Sequence, residues 1–294
     1  MFVSLTNNNF FLKILSLFSL VRGYNIIFII FAQLVSSIFI FSNSNNIYQV
    51  LLDENIWFII LSTSTSISAG YIINNFYDSD KDLINRPLKT ILENEISGRT
   101  KLFTYLILNF FTILFSILVS LKALIFFSFY TLGIFIYSIK LSRYLFVGNF
   151  LSVMFVVTPF FAITVYYKNF SLEIFTHAIF LFFVILIKEL IKDLENLKGD
   201  FTMNYKTIPV IYGEKLAKSY ITLYTIFVIG ISLNLIFNYE IHMMKFFYIL
   251  SILFFIFFIY LLFKFSGRKY YEILHNSLKI LITAGLFSII LHGF

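Results

Sequence analysis

The chain contains no cysteine among its 294 residues, which excludes disulfide bonds and any metal site built on thiolate ligands. Charged residues are also scarce, at 13% of the sequence, whereas 60% of the residues are hydrophobic. The mean hydropathy is +0.90. A soluble domain of this length has too little interior to hide so much apolar surface from water. The composition therefore predicts an integral membrane protein.

Histidine is rare as well, and its four residues are far apart in the sequence. They are His177, His242, His275 and His292. None of them has the spacing of a metal-ligand motif. We therefore expect each histidine to be an isolated residue, either packed in the protein or lying at the membrane interface.

The net charge of +7 results from 22 basic and 15 acidic residues. Nucleic-acid binding is one reading of such an excess, but it requires basic residues on one soluble face. Here they fall in short segments between apolar runs, so we reject nucleic acid as a partner. The basic residues are expected to set the membrane topology and to contact phosphate groups.

Apolar runs recur along the chain, and a membrane-spanning helix needs about 20 such residues. Nine spans are predicted, at 22–42, 55–77, 103–121, 123–139, 146–166, 172–191, 217–238, 246–263 and 274–292. They form a single transmembrane domain over residues 1–294, with no linker and no low-complexity segment. Residues 1–21 lack the features of a signal peptide. Apolar residues at helical spacing between Phe10 and Phe18 predict a short helix on the membrane interface instead.

Lysine and arginine are distributed unequally between the two ends of the predicted spans. With the N-terminus in the cytoplasm, only Lys122, Lys168 and Lys245 of the 22 basic residues lie outside. This bias predicts that the two long loops, 78–102 and 192–216, face the cytoplasm. Each loop follows an even-numbered span and carries acids and then bases, which suggests two related halves facing one cavity.

The first acidic cluster follows the second predicted span. Asn74, Asp78 and Asp82, here called the acidic stripe, are spaced four residues apart and therefore lie along one face of a helix. Carboxylates one turn apart repel each other, and the repulsion grows as the dielectric constant falls. Mg²⁺ relieves this repulsion, because it binds oxygen ligands and commonly links carboxylates to substrate phosphates. Asp80 is expected to point away from the stripe.

The second acidic cluster, residues 188–200, follows the sixth predicted span. Asp193 and Asp200 share a face if the helix continues, although Gly199 argues against a continuous helix. Asn196 lies one turn after Asp193 and offers a neutral oxygen. One such cluster alone is also typical of a hydrated helix end. Two clusters on one side of the membrane favour a metal-bound diphosphate site, with four catalytic carboxylates: Asp78, Asp82, Asp193 and Asp200.

Basic residues near both clusters supply positive charge for a diphosphate. The candidates are Arg86, Lys89, Lys140, Arg143, Lys188, Lys192, Lys198 and Lys206. Those selected as diphosphate-binding are Arg86, Lys140, Arg143 and Lys192. Lys140 is the strongest candidate, because the sequence from Tyr137 to Lys140 ends a span at the expected mouth of the cavity.

Together these motifs resemble the two signatures of the UbiA superfamily of intramembrane prenyltransferases. The first comprises Asn74-Asn75-x-x-Asp78-x-x-x-Asp82 and Ile84-Asn85-Arg86-Pro87. The second comprises Lys192-Asp193 through Gly199-Asp200, then Lys206-Thr207-Ile208-Pro209-Val210 and Gly213. Smaller matches are Arg22-x-x-Asn25, Tyr137-Ser138-x-Lys140-x-x-Arg143 and Gly148-Asn149.

The resemblance implies an all-α membrane fold, with nine transmembrane helices around a central cavity. It also implies Mg²⁺-dependent transfer of an isoprenoid chain from its diphosphate to a small-molecule acceptor, in contact with membrane lipid. One Mg²⁺ is expected on Asn74, Asp78 and Asp82, and a second on Asp193, Asn196 and Asp200. The residues expected to line the substrate cavity are Arg22, Asn25 and Tyr137. A bacterial or archaeal cytoplasmic membrane is the expected location.

Two positions depart from the family pattern. Many members have aspartate where Asn75 and Asn196 stand, and each replacement removes one negative charge. The second signature is closer to members acting on glycerol phosphate lipids, chlorophyllide or homogentisate than to the 4-hydroxybenzoate branch, which favours a lipid or quinone-type acceptor. Two alternatives stay open: a secondary transporter whose acids bind a coupling ion, and an inactive member that only binds an isoprenoid.

Overall fold

The computed structural model describes residues 10–42 and 47–293, and every regular element in those ranges is helical. The helices are α1 (Phe10–Leu20), α2 (Gly23–Ser36), α3 (Ile47–Leu51), α4 (Glu54–Asn85), α5 (Pro87–Asn94), α6 (Gly98–Val119), α7 (Leu121–Ile139), α8 (Val147–Tyr167), α9 (Leu172–Glu195), α10 (Leu197–Thr202), α11 (Ile208–Asn238), α12 (Lys245–Lys264) and α13 (Arg268–Ser288). A π-helical turn, Ser37–Phe41, continues α2. Turns of 3₁₀ helix lie at Leu141–Arg143, His242–Met244 and Ile289–Gly293.

Within these described ranges, nine segments are long and apolar enough to cross a membrane. They are α2 with its π-helical turn, α4, α6, α7, α8, α9, α11, and α12 and α13 with their adjoining 3₁₀ turns. The predictions of an all-α fold and of nine spans are therefore confirmed.

Helix α1 corresponds to the described part of the predicted N-terminal segment, since residues 1–9 lie outside it. Phe11, Ile14 and Phe18 are exposed on α1, whereas Leu20 is buried. The helix packs mainly against α5 and leaves this apolar side uncovered. A position on the membrane interface remains a prediction that suits this exposed side.

Helix α4 extends beyond the predicted span 55–77, because it continues through the first acidic cluster to Asn85. Asp53 caps its N-terminus by accepting a hydrogen bond from the backbone amide of Asn55. The helix ends where Arg86 leaves helical backbone (φ −141°, ψ 62°), as expected for a residue before proline. Small and hydroxyl-bearing residues in 62–70 let neighbouring helices approach closely.

The two segments predicted as long loops are largely helical, so that prediction is wrong. Residues 78–102 contain the end of α4, all of α5 and the start of α6, and residues 192–216 contain α10 and the start of α11. The second acidic cluster bends at Asn196 (φ −97°, ψ 8°) rather than at Gly199. A Cβ atom on Gly199 would lie 2.4 Å from Oδ1 of Asn85, so glycine lets α10 pack against the end of α4.

Two other boundaries also differ from the predicted spans. Helix α11 begins at Ile208 and not at residue 217, and it is kinked at Gly213. The backbone there has φ 83° and ψ 167°, a conformation that favours glycine. The turn between α6 and α7 is Ser120, not Lys122, and the Ser120 hydroxyl accepts a hydrogen bond from the amide of Ala123.

The helices form two groups, each packed around the helix that carries one acidic cluster. In the first group α4 contacts α2, α6 and α7, and in the second α9 contacts α8, α11 and α13. Ile56 and Phe127 are buried in the first core, and Ile191 and Phe255 in the second. Because α10 also packs against α4, the two acid-bearing helices are joined at the end where the acids lie.

Candidate active site

The acidic stripe lies along the last turns of α4. Nδ2 of Asn74 donates a hydrogen bond of 2.9 Å to Oδ2 of Asp78, so these two side chains share one helix face. Asp78 is 6% exposed, whereas Asp80 on the same turns is exposed to solvent. A carboxylate as buried as Asp78 needs positive charge or hydrogen-bond donors around it.

The second acidic cluster is equally buried. Asp193 accepts a hydrogen bond of 2.7 Å from Nδ2 of Asn149, which lies on α8. Oδ1 of Asp200 and Oδ1 of Asn196 are buried without a hydrogen-bond partner in the described part of the chain. Unsatisfied buried oxygens are rare in folded proteins, and a bound ion is one explanation for them.

Lys81 and Tyr205 join the two clusters. Nζ of Lys81 is 3.9 Å from Oδ2 of Asp78 and 3.9 Å from Oδ1 of Asp200. Tyr205 donates a hydrogen bond from its hydroxyl group to Asp78, and its backbone amide donates one of 2.9 Å to the carbonyl of Asp200. Acids from the two halves therefore face a common space.

The pKa of Asp200 is raised by its burial and by the acids of the other cluster. Burial raises it to about 6, Lys81 and Lys192 oppose the rise, and Asp78 and Asp82 add to it. Negative charge is thus crowded around Asp200, and the Lys81 ammonium lies where a cation is needed. All the candidate ligand atoms in the two clusters are oxygens, a donor set that fits Mg²⁺.

Arg143 and Tyr137 lie beside these acids. The Arg143 guanidinium donates a hydrogen bond of 3.4 Å to the backbone carbonyl of Tyr77, and its centre is 5.2 Å from the ring centroid of Tyr205. Tyr137 lies close enough to Asp193 for the carboxylate charge to act on its hydroxyl group. Both predicted residues are therefore near the space between the clusters.

The other three predicted diphosphate-binding residues have different surroundings. Lys192 forms an ion pair with Glu189 on the same helix. The guanidinium of Arg86 lies 4.0 Å from a carboxylate oxygen of Glu195. Lys140 is exposed at the C-terminal end of α7, and its ammonium has no side-chain partner within the described ranges. These three are not joined to the acidic stripe by direct contacts.

Arg22 and Asn25 contact Tyr71, which precedes the acidic stripe on α4. The Arg22 guanidinium is 4.6 Å from the ring centroid of Tyr71, and Nδ2 of Asn25 donates a hydrogen bond of 3.4 Å to the hydroxyl of Tyr71. Burial lowers the pKa of Arg22, but Tyr71 and Asp82 outweigh it, so that the pKa lies above its ordinary value. Arg22 thus stays charged next to Asp82.

Asn75 faces away from the acidic stripe, into a separate buried network. Its Nδ2 donates a hydrogen bond of 3.0 Å to Glu93, and its Oδ1 accepts one of 2.7 Å from Lys101. Lys89 also pairs with Glu93, at 3.2 Å. An aspartate here lacks the donor that Glu93 needs, so asparagine suits this position for a structural reason.

Three residues in contact with the clusters were not among the predicted site residues: Lys81, Asn149 and Tyr205. Of these, Asn149 stands in the Gly148-Asn149 match to the family. Lys81 had a usable signal, because it is spaced one helical turn from Asp78. Tyr205 had none, since it is one of 19 tyrosines and lies between α10 and α11. Its place in the site depends on how α10 packs against α4.

An apolar cavity of about 190 Å³ lies between α2, α8, α9, α12 and α13. Its lining includes Phe28, Val157, Leu181, Ile185 and Leu286. Ile185 is about 12 Å along α9 from Asp193, at the helical rise of 1.5 Å per residue. The cavity therefore lies beyond the acidic clusters, towards the opposite end of the helices. A central cavity that also holds the acids stays a prediction.

Comparison with known proteins places this architecture in context. The sequence profile of the UbiA prenyltransferase family matches residues 25–275. The digeranylgeranylglyceryl phosphate synthase of Thermococcus gammatolerans is 31% identical over 160 residues, 54% of this chain and 57% of that protein. The synthase of the same name from Saccharolobus solfataricus is 30% identical over 153 residues, 50% of this chain and 52% of that protein. The chain spans little more than half the length of these curated relatives.

Solved structures match over nearly the whole chain. A digeranylgeranylglyceryl phosphate synthase structure has a TM-score of 0.71 at 20% identity, covering 96% of this chain and 98% of the other. A UbiA homologue from Archaeoglobus fulgidus bound to GPP and Mg²⁺ also has a TM-score of 0.71, at 15% identity, covering 94% and 99%. At these identities the likeness shows a shared fold.

Proposed function

Because the chain belongs to the UbiA prenyltransferase family, we propose that it is an integral membrane enzyme that transfers an isoprenoid chain from a diphosphate to a small-molecule acceptor. The observation that carries this proposal is the position of Lys81, with its ammonium 3.9 Å from both Asp78 and Asp200. Carboxylates contributed by two halves of the chain share one cationic partner. A site that gathers acids in this way suits metal ions bound together with a diphosphate.

The two clusters divide the metal ligands between them. The acidic stripe would hold one Mg²⁺, and Asp193, Asn196 and Asp200 would hold a second. Two buried oxygens that have no hydrogen-bond partner in the described part of the chain, on Asn196 and Asp200, support the second site. When bound, Mg²⁺ supplies Lewis-acid stabilisation of the negative charge that develops on the departing diphosphate.

The protein's own residues bind and orient the reactants. Arg143, with its guanidinium beside Tyr205 and the end of α4, adds fixed positive charge for the diphosphate. The apolar cavity takes the isoprenoid chain and keeps water from the reacting carbon. The bond between C1 of the isoprenoid chain and the diphosphate oxygen breaks, and its electron pair leaves with the diphosphate. The acceptor atom then forms a bond to C1 and loses its proton to the surrounding solution.

The acceptor we propose is a prenylated glycerol phosphate lipid. Support comes from relatives about 30% identical to this chain, which carry the name digeranylgeranylglyceryl phosphate synthase and come from archaea. An aromatic, quinone-type acceptor is the second candidate, favoured only by the likeness of the second signature. The basic residues at the end of the helices where the acids lie support a site facing the cytoplasm of an archaeal or bacterial cell.

A transporter is not favoured by the geometry. Transporter sites usually lie near the bilayer midplane, on interrupted helices. Here Asp78 lies near the end of α4 and Asp193 near the end of α9, beside basic residues. That position suits a phosphate head group at the membrane boundary.

Turnover by the purified protein tests the proposal. Geranyl, farnesyl and geranylgeranyl diphosphate would be offered with a prenylated glycerol phosphate or with homogentisate, and products identified by mass spectrometry. We expect activity with Mg²⁺, none with EDTA, and a loss of roughly 100-fold or more in Asp78→Asn and Asp200→Asn. Asp80→Asn, on the exposed side of the same turns, is the matched control and should retain activity.

Each contrary outcome has a distinct meaning. Full turnover in both Asp78→Asn and Asp200→Asn would refute the site assignment. No turnover by the native chain, with donor binding retained, would identify an inactive isoprenoid-binding member. Turnover of homogentisate alone would overturn the lipid acceptor and leave the transferase intact.

A further inference from the structure

A second group of metal-ligating side chains lies at the opposite end of the helices from the acidic clusters. Glu173 and His177 are one turn apart at the start of α9, and His292 lies in the 3₁₀ turn that follows α13. One ligand atom from each residue lies within 4.8 Å of the others. The expectation of isolated histidines is therefore wrong for His177 and His292, because folding joins the start of α9 to a turn 119 residues away.

The distances within this group suit a single ion. Oε1 of Glu173 is 2.8 Å from Nε2 of His292 and 3.7 Å from Nε2 of His177. Bonds of about 2.0–2.1 Å to a tetrahedral zinc ion place two ligand atoms about 3.4 Å apart. The two separations lie on either side of that value, and all three ligand atoms lie within 4.8 Å of one another.

The environment of His177 supports the same conclusion. Its Nδ1 is hydrogen-bonded to the hydroxyl of Tyr248, which fixes the orientation of the ring. Its Nε2 is buried and has no hydrogen-bond partner in the described part of the chain. Metal-binding histidines commonly use one ring nitrogen for the metal and the other for such a supporting hydrogen bond. Nε2 faces Glu173, where an ion would satisfy it.

We infer that Glu173, His177 and His292 form a site for Zn²⁺, separate from the acidic clusters. Two imidazoles and one carboxylate suit zinc and related transition metals, whereas Mg²⁺ prefers oxygen ligands. Zinc sites with two histidines and one glutamate commonly leave the fourth position to water. Both histidine rings approach one carboxylate, with their centroids 6.2 Å apart.

The site has a structural consequence for the rest of the molecule. His177 and Tyr248 both line the apolar cavity, so a bound ion would close its far end. It would tie α9 to the turn after α13, and through Tyr248 to α12. His177 is about 24 Å along α9 from Asp193, at 1.5 Å per residue, so the two sites are separate.

Zinc binding by the purified full chain tests this inference. The double variant Asp78→Ala/Asp193→Ala provides the background, and excess Mg²⁺ is kept present, so that ions held by the acidic clusters do not contribute. After EDTA treatment and dialysis against Zn²⁺, elemental mass spectrometry should find one zinc per chain. Adding His292→Ala should weaken zinc binding at least tenfold. Adding His275→Ala should not, because His275 contacts Glu195 without a second imidazole.

Co²⁺ provides a second readout. Substitution for zinc should give the intense visible absorption of a tetrahedral site, and Glu173→Gln should abolish it. Zinc should also raise the melting temperature of the background protein by several degrees, but not that of the His292→Ala form. Absence of stoichiometric zinc in the background protein, or equal binding after His292→Ala, overturns the inference. Neither result bears on prenyl transfer.

Discussion

The hydroxyl group of Tyr205 donates a hydrogen bond to Asp78, although the two residues are 127 positions apart in the sequence. The contact joins the segment after α10 to the end of α4. The ammonium of Lys81, which bridges Asp78 and Asp200, lies 3.9 Å from the ring centroid of Tyr205. Tyr205 therefore acts as a positioning residue, which holds one oxygen of Asp78 and leaves the other towards Asn74.

Removing only this hydroxyl group tests the positioning role. In Tyr205→Phe the ring remains, and Asp78 loses one donor. We expect kcat/KM to fall about 10- to 100-fold, as for other groups that hydrogen-bond to metal ligands. The loss should be larger at limiting Mg²⁺, because the carboxylate is less well oriented before the ion binds. Steady-state rates across a Mg²⁺ titration measure both effects.

Tyr212→Phe is the matched control for that experiment. Tyr212 is 52% exposed on the first turns of α11, so its variant should behave as the native protein does. If Tyr205→Phe keeps the native Mg²⁺ dependence, the hydrogen bond to Asp78 has no positioning role.

The pH dependence of Mg²⁺ binding should report the raised pKa of Asp200. Burial raises this pKa to about 6, so that below pH 6 the carboxyl group holds a proton in the folded protein. A metal ion must displace that proton, and apparent affinity therefore falls with pH. We expect the Mg²⁺ dissociation constant to increase roughly fivefold from pH 6 to pH 5. Calorimetry at pH 5, 6 and 7 measures it.

The variant Asp200→Asn tests whether Asp200, and not another carboxyl group, causes this pH dependence of Mg²⁺ binding. The variant should bind Mg²⁺ more weakly at pH 7 and show a smaller change between pH 6 and pH 5. A pH dependence as steep as that of the native chain would assign the titration to another group.

The parts of this site that follow local periodicity could be read from the sequence. Spacing of four residues placed Asn74 and Asp78 on one face, and they are hydrogen-bonded at 2.9 Å. Contacts between distant segments left no such signal. Tyr205 and His292 acquire their partners only when α10 meets α4 and when the C-terminal turn meets α9. The contacts of Asn75 could not be predicted from the sequence either. The family pattern placed Asn75 near a metal site, whereas in the fold its amide donates a hydrogen bond to Glu93.

Gly199 should be needed for the approach of α10 to α4. In Gly199→Ala the new Cβ would lie 2.4 Å from the side chain of Asn85, itself only 3% exposed, so this buried side chain or one of the two helices must move. Overpacking of this kind costs about 1–3 kcal/mol. The shift also displaces Asp200, so activity should fall together with the melting temperature. Gly230→Ala is the control, since no atom lies within 4 Å of its Cβ position. Equal melting temperatures and activities in the two variants would contradict close packing at Gly199.

Asn75 and Asn196 should respond differently to replacement by aspartate. Asn196→Asp adds a carboxylate where the present Oδ1 is buried without a partner in the described ranges. We expect Mg²⁺ to bind about tenfold more tightly, because ligand charge increases affinity for hard cations. Asn75→Asp instead removes the donor to Glu93 and places two carboxylates about 3 Å apart. That change should leave Mg²⁺ affinity unaltered and lower the unfolding free energy by about 1–3 kcal/mol.

Calorimetric Mg²⁺ titrations and thermal unfolding of both variants distinguish these expectations. Of the two asparagines, Asn196 belongs to the second cluster and lies between Asp193 and Asp200 in the sequence. Asn75 is instead hydrogen-bonded to Glu93 and Lys101. A gain of Mg²⁺ affinity in Asn75→Asp would mean that its side chain turns towards the acidic stripe when metal binds. The absence of any gain in Asn196→Asp would remove Asn196 from the proposed ligands and leave the second ion to Asp193 and Asp200.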